Sequence, residues 1–165
     1  MVVVRFSLLF KEPDMIRKKG DLVEHLDDYT HVCITANAFV KNNGELVMGR
    51  GFAKTATQLW PQVAREAGSR IRGGNMGVKF PYHLLLVEHD GIGIWLFQVK
   101  HHWREEASLE LIAESAKRLG DYAARHSEQL FALPYPGIGN GRLAMHKVAP
   151  LIQDLPDNVH VWTFE

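Results

Sequence analysis

Apolar and polar positions along the chain fall into short blocks whose repeat switches between two and about 3.6 residues, the signature of strands interleaved with helices. Residues 2–10 are β-branched and apolar and predict a first strand, and residues 31–36 (His31-Val32-Cys33-Ile34-Thr35-Ala36) predict another. Between them, Lys18-Lys19-Gly20-Asp21-Leu22 spells a turn leading into a short helical stretch. Residues 52–67 place Phe52, Thr55/Ala56, Leu59 and Val63 close to helical spacing, and Pro61 interrupts them, which predicts a kink or two short helices. Residues 68–77 are polar and glycine-rich and predict a long connection. Two β-rich runs, 82–88 and 92–99, flank His89-Asp90-Gly91 and predict a hairpin. Ser108 caps an amphipathic helix with Leu109, Ile112, Ala116, Leu119 and Ala123 along one face. A strand at 130–134, a helix near 143–153 and a strand at 159–164 complete the series. Strands alternating with helices, one hairpin among them, indicate an α/β layered fold with helices on both faces of a mixed sheet.

Composition narrows the functional classes. The 165 residues suit a single domain, 1–165, with no internal repeat or low-complexity segment. Lys+Arg and Asp+Glu both number 19, so no global field draws the chain to nucleic acid or to a membrane surface. Cys33 is the single cysteine, which excludes an intramolecular disulfide and a cysteine-based zinc cluster. Its apolar surroundings predict a buried structural thiol, and a reducing, cytoplasmic location is expected. The start of the chain lacks a signal peptide's basic region and cleavage site, and no stretch approaches membrane-spanning length. His101 and His102 are adjacent rather than spaced along one helix face, and no HExxH pattern occurs, so neither metal nor cofactor is expected.

Chemistry concentrates in two glycine turns. The first, Asn42-Asn43-Gly44-Glu45-Leu46-Val47-Met48-Gly49-Arg50-Gly51, leaves an apolar strand and enters a helix. Such a helix start presents unpaired N–H groups that, with the helix dipole, attract phosphate, and Arg50 adds a full positive charge. The spelling is not that of a P-loop, because Ala53 precedes Lys54-Thr55 where that motif needs glycine. The second turn, Tyr135-Pro136-Gly137-Ile138-Gly139-Asn140-Gly141, also lies between a strand and a helix. Too few residues follow Gly141 for the dinucleotide-binding unit its glycines suggest. In an α/β sheet both turns gather at the carboxyl ends of the strands, where paired anion cradles suit a diphosphate.

Taken together and in order, Gly20-Asp21-Leu22, Ile34-Thr35-Ala36-Asn37, Val47-Met48-Gly49-Arg50-Gly51-Phe52-Ala53 and Pro136-Gly137-Ile138-Gly139-Asn140-Gly141 resemble the macrodomain family, which binds ADP-ribose. Phe97-Gln98-Val99-Lys100, followed by Trp103 and Ser108, is similar to the branch holding the terminal ADP-ribose protein glycohydrolase and the antitoxin that removes ADP-ribose from DNA. The resemblance implies a three-layer α/β/α sandwich around a mixed sheet. It implies that the partner is ADP-ribose, or an ADP-ribosylated protein or nucleic acid. It assigns Asp21 to the adenine amino group and Leu22 to a backbone contact beside it. Asn37 falls to the distal ribose, and Phe164 flanks the adenine. Met48, Gly49, Arg50 and Gly51 hold one phosphate, and Gly137, Ile138, Gly139, Asn140 and Gly141 the other. Lys100 becomes the nucleophile at the anomeric carbon, a role that needs a lowered pKa, for which His101, His102 and Arg104 are the nearby cations.

The residues themselves also allow plainer roles. Asp21 fits a helix N-cap, Asn37 a strand-end turn, Phe164 a core aromatic and Lys100 a solvated strand end. The chain departs from the glycohydrolase pattern at one point. No acid occurs among Asn140, Gly141, Arg142, Leu143 and Ala144, and Met48 stands where another hydrolytic class carries one. Glu45 is the acid of the first turn, directed into the site or into water. Three functions follow: an ADP-ribose binder with glycohydrolase activity through Lys100, a phosphatase-type enzyme acting on an ADP-ribose-related metabolite with Glu45 or a histidine as base, and a nucleic-acid-binding domain with Trp103 as a stacking platform.

Overall fold

The computed structural model describes residues 15–74 and 80–164, so the strand expected at 2–10 lies outside the described residues. Six strands form one mixed sheet: β1 (Ile16–Lys19), β2 (His31–Ala36), β3 (Leu84–His89), β4 (Ile92–Gln98), β5 (Phe131–Pro134) and β6 (Val159–Thr163), in the spatial order β1-β6-β5-β2-β4-β3. The first five of that order run parallel, and β3 returns antiparallel on β4. Asp90 and Gly91, both at positive φ, make the tight turn between the last two.

The alternation of side chains sorts the sheet into two faces. Val32, Ile34, Ile94, Leu96, Ala132 and Trp162 point into one cluster, covered by α1 (Gly51–Leu59) and α2 (Val63–Gly73). Cys33, Trp95, Phe97, Phe131, Leu133, Val159 and Val161 point into the other, covered by α3 (Leu109–Ala124) and α4 (Met145–Ile152). The molecule is therefore a three-layer α/β/α sandwich. Cys33 is fully buried, and desolvation alone raises its thiol pKa far above the usual range, which leaves it inert as a nucleophile.

Several expectations meet their physical explanation here. Pro61 falls between α1 and α2 and splits the segment into two helices. Ser108 caps α3 by accepting from the Leu111 N–H at 3.2 Å. The long connection expected over 68–77 is corrected: residues 68–73 continue α2, because Val63, Ala67 and Ile71 recur at helical spacing and bury in one cluster with the sheet. Residues 75–77 lie outside the described residues. Lys18 and Lys19, expected in a turn, end β1, where they pair in register with Trp162 and Thr163. Leu109 is 38% exposed instead of facing the core; the buried face of α3 runs through Leu111, Ile112, Ser115, Ala116, Leu119 and Ala123. No helix among the described residues is long and apolar enough to cross a membrane.

A candidate binding crevice at the carboxyl rim

Five parallel strands place five carboxyl ends on one rim, and the loops that leave them carry the residues singled out above. Between β2 and β5 the recorded pairing covers only His31 with Phe131 and Val32 with Ala132. Beyond that point β2 stays with β4, and β5 stays with β6 through the pair Pro134 and Trp162. The two strands part toward their carboxyl ends. Their connections also leave to opposite faces, from β2 to α1 and from β5 to α4, which makes this gap a topological switch point.

The two glycine turns border the gap. A Cβ built on Gly51 would stand 3.2 Å from Asn140 Nδ2, so the two turns touch. Gly49, Arg50 and Gly51 are exposed, and α1 begins at Gly51 with no side-chain cap and no acid in its first turn. The N–H groups of that turn are the unspent donors of a helix start. Asn37 ties the base of the loop: its amide Nδ2 donates to the Val47 carbonyl at 2.9 Å, its Oδ1 accepts from the Phe39 N–H at 2.8 Å, and the Tyr82 hydroxyl donates to its carbonyl at 2.7 Å.

The second turn is built into the core. Gly137 is buried at φ 82°, the Leu143 N–H donates to its carbonyl, and the Ala107 N–H donates to the Gly141 carbonyl. Residues 139–141 form a single 3₁₀ turn that ends on Arg142 in the left-handed region, its guanidinium donating to the Arg104 carbonyl at 3.0 Å. Lys100, just past β4, lies over this turn, where its ammonium donates to the carbonyls of Asn140 and Trp103, both at 3.4 Å.

No family model matches the chain, and no curated protein matches it. Solved structures do. The macrodomain of Thermus aquaticus DarG is 24% identical, with 92% of this chain and 97% of that one covered at a TM-score of 0.71. The macrodomain of Mycobacterium tuberculosis DarG is 25% identical over 90% and 96% of the two chains, with a TM-score of 0.69. Thermosipho africanus DarTG in complex with ADP-ribose is 20% identical over 81% of this chain and 38% of its own, with a TM-score of 0.65. The chain folds as a macrodomain.

Within this fold the rim gathers most of the residues proposed from sequence. Asp21 follows β1, and its carboxylate accepts from the Val23 N–H at 3.0 Å as the cap of the 3₁₀ helix Leu22–Asp28; Leu22 is buried beside it. Phe164 follows β6 and is 76% exposed, so the core reading is excluded for it. Met48 packs partly buried against the α1–α2 cluster, and Ile138 against the opposite one. Glu45 stands apart, at the tip of a small hairpin joined by the Val40–Leu46 bridge, where its carboxylate accepts from Asn43 Nδ2 and lies 3.8 Å from Lys41 Nζ. That hairpin packs on α2, with the Leu46 N–H donating to the Ala64 carbonyl.

The Lys100 pKa is lowered, first by burial, then by the Arg142 guanidinium, with Glu105 acting in the opposite sense. The cations expected from sequence, His101, His102 and Arg104, are not among these causes; the neighbouring positive charge is Arg142, which arrives from the second glycine turn. Arg142 and Glu105 are thus the residues sequence reasoning missed. Glu105 brings a carboxylate near Lys100 from the segment after β4, its Oε1 accepting from the His102 N–H at 2.9 Å. Only the short spacing from Lys100 to Glu105 could have signalled it. Among the described residues no group of three or more His, Cys, Asp or Glu side chains could hold a metal ion.

Proposed function

We propose that this macrodomain binds ADP-ribose, free or attached to protein or nucleic acid, with the pyrophosphate between the 49–51 and 137–141 turns. The observation that carries the reading is the direct approach of Gly51 to Asn140 across the gap between β2 and β5, which puts two amide-rich turns on one crevice. The free N–H groups at the start of α1 and the Arg50 charge supply the attraction for the phosphates. Asp21 and Phe164, at the ends of the neighbouring strands β1 and β6, suit the adenine end; the Gly20 N–H donates to the Thr163 carbonyl, holding those two ends together. The likeness to a solved DarTG bound to ADP-ribose supports the same ligand.

Calorimetry of the intact chain with ADP-ribose and with AMP tests this. Saturable heat with ADP-ribose and markedly weaker binding of AMP, which lacks the second phosphate and distal ribose, is the expected result. Absence of heat with ADP-ribose would remove the proposal.

A second reading, glycohydrolase activity, has one specific observation in its favour. Lys100 combines a lowered pKa with a position over the second turn, the two conditions for an amine that attacks an anomeric carbon. The carboxylate missing from 140–144 would then be replaced by Glu105. Release of ADP-ribose from modified protein or DNA should fall at least a hundredfold in Lys100→Ala and about as much in Glu105→Gln, the usual scale for a lost general base. The rate should rise with pH along a limb set by Lys100, displaced below the ordinary lysine range. Unchanged turnover in Lys100→Ala would leave binding as the whole function.

A further inference from the structure

A second cavity lies away from the rim, between the tip of the Val40–Leu46 hairpin and the outer face of α2. It opens to solvent with a volume of about 430 Å³ and is lined by Gly44, Arg65, Gly68, Ser69, Arg72 and Gly73, none of which belongs to the crevice described above. Arg65, Ser69 and Arg72 stand at i, i+4 and i+7 and so share one face of the helix. Among the described residues no carboxylate pairs with either guanidinium; the ion pair beside the cavity, Lys41 with Glu45, is internally neutralised. Among the described residues Arg72 is oriented by one bond, its Nη2 donating to the Lys41 carbonyl at 2.7 Å, with its other donors unspent there. Arg70, on the other side of the helix, is turned away to the Leu86 carbonyl. The hairpin wall is bare backbone at Gly44, where a Cβ would meet nothing within 4 Å, and Gly73 at the end of α2 is equally open.

We infer that this cavity is an anion site for a compact phosphate, either inorganic phosphate or the phosphomonoester of a small metabolite. Two permanently charged forks and a hydroxyl converge on one volume, a donor set that matches the several oxygens of a single phosphate. The lining offers no aromatic ring on which a base could stack. With equal numbers of acidic and basic residues over the chain, no global field favours a long polyanion. The volume is within the range of small-ligand pockets.

The test is an amide NMR titration of the intact protein with inorganic phosphate, ribose 5-phosphate and a single-stranded oligonucleotide. Saturable shifts of the Gly44, Ser69 and Gly73 amides with either small phosphate are expected, the two arms telling the free ion from the ester. Arg65→Gln, at a side chain with no hydrogen bond or ion pair among the described residues, should weaken those shifts at least fivefold, and Arg65→Gln/Arg72→Gln should abolish them. Both variants should keep the shifts that ADP-ribose causes at the rim, which separates failure of this site from failure of the crevice. Phosphate shifts confined to 49–51 and 137–141, no shifts at all, or saturation by the oligonucleotide alone would overturn the inference.

Discussion

The two turns that face each other across the gap look alike as strings of glycines, yet different forces require them. At Gly137 the requirement is packing: a Cβ would stand 2.6 Å from Ile112 Cδ1 and 3.0 Å from Leu143 Cδ1, at a φ of 82° that side chains avoid. At Gly51 the residue is exposed, and a Cβ would meet only the end of the Asn140 side chain, which can move. The second turn is thus a piece of the core that reaches the rim. The first is an exposed edge of the gap between β2 and β5, held from below by Asn37. Glycine in one place is required by packing, and in the other it leaves the gap beside Asn140 open.

The largest effect that would break this contrast lies at Gly137. Gly137→Ala combines left-handed strain with overpacking against α3 and should cost roughly 2–5 kcal/mol, seen as a large fall in the denaturant midpoint. A near-native midpoint would show that the turn is not part of the core. Gly51→Ala should act the other way: affinity for ADP-ribose, measured by calorimetry, drops on the order of tenfold (~1.4 kcal/mol), while stability changes by about 1 kcal/mol. Equal losses of stability at the two positions would erase the distinction.

Acid should act on the scaffold beneath both turns. His31, His83 and His160 all have pKa values lowered first by burial; the His31 Nδ1 accepts from the Trp95 indole, and the His160 Nδ1 shares a hydrogen bond with the Tyr29 hydroxyl, which accepts from the Trp162 indole. The unfolded chain takes up these protons first as pH falls below the ordinary histidine value near 6.5. Stability should therefore decline from about pH 6.5 downward, and level off once the folded imidazoles also protonate. Chemical melts at pH 7.5 and 5.5 measure this, and an equal or higher midpoint at the lower pH would contradict the neutral, half-buried assignment. The smallest effect belongs to Gly139→Ala, at φ 64° with open space around it: about 1 kcal/mol of strain and no packing loss. A loss as large as that at Gly137 would mean that backbone strain, not contact with Ile112, dominates the second turn.

The local pattern carried much of the fold. β2, the β3–β4 hairpin, the Ser108 cap and the break at Pro61 each rest on interactions within a few residues, which a window of sequence contains. Where burial against a distant partner decides, the pattern was insufficient. Residues 68–73 look like a polar connection until Ile71 is seen to bury against the sheet. Leu109 sits on the apolar side of a helical wheel, yet α3 is rotated so that Leu111 and Ser115 face inward, the Ser115 hydroxyl donating to the carbonyls of His83 and Gln98. On the carboxyl rim, Asp21, Lys100 and the two turns were legible as motifs, whereas Arg142 beside Lys100 was not, since it arrives from a distant segment, and Glu105 offered only its short spacing from Lys100.

By itself, the order of residues determined which side chains face each side of the sheet, because a two-residue period is a property of the strand alone. It also determined where the backbone can bend sharply. Which bends meet was left to the tertiary structure. The strand order β1-β6-β5-β2-β4-β3, the parting of β2 from β5 after two paired positions, and the arrival of Arg142 at Lys100 all depend on contacts between segments tens of residues apart. Such contacts are selected by the packing of whole layers, a physical choice that no short stretch of the chain contains.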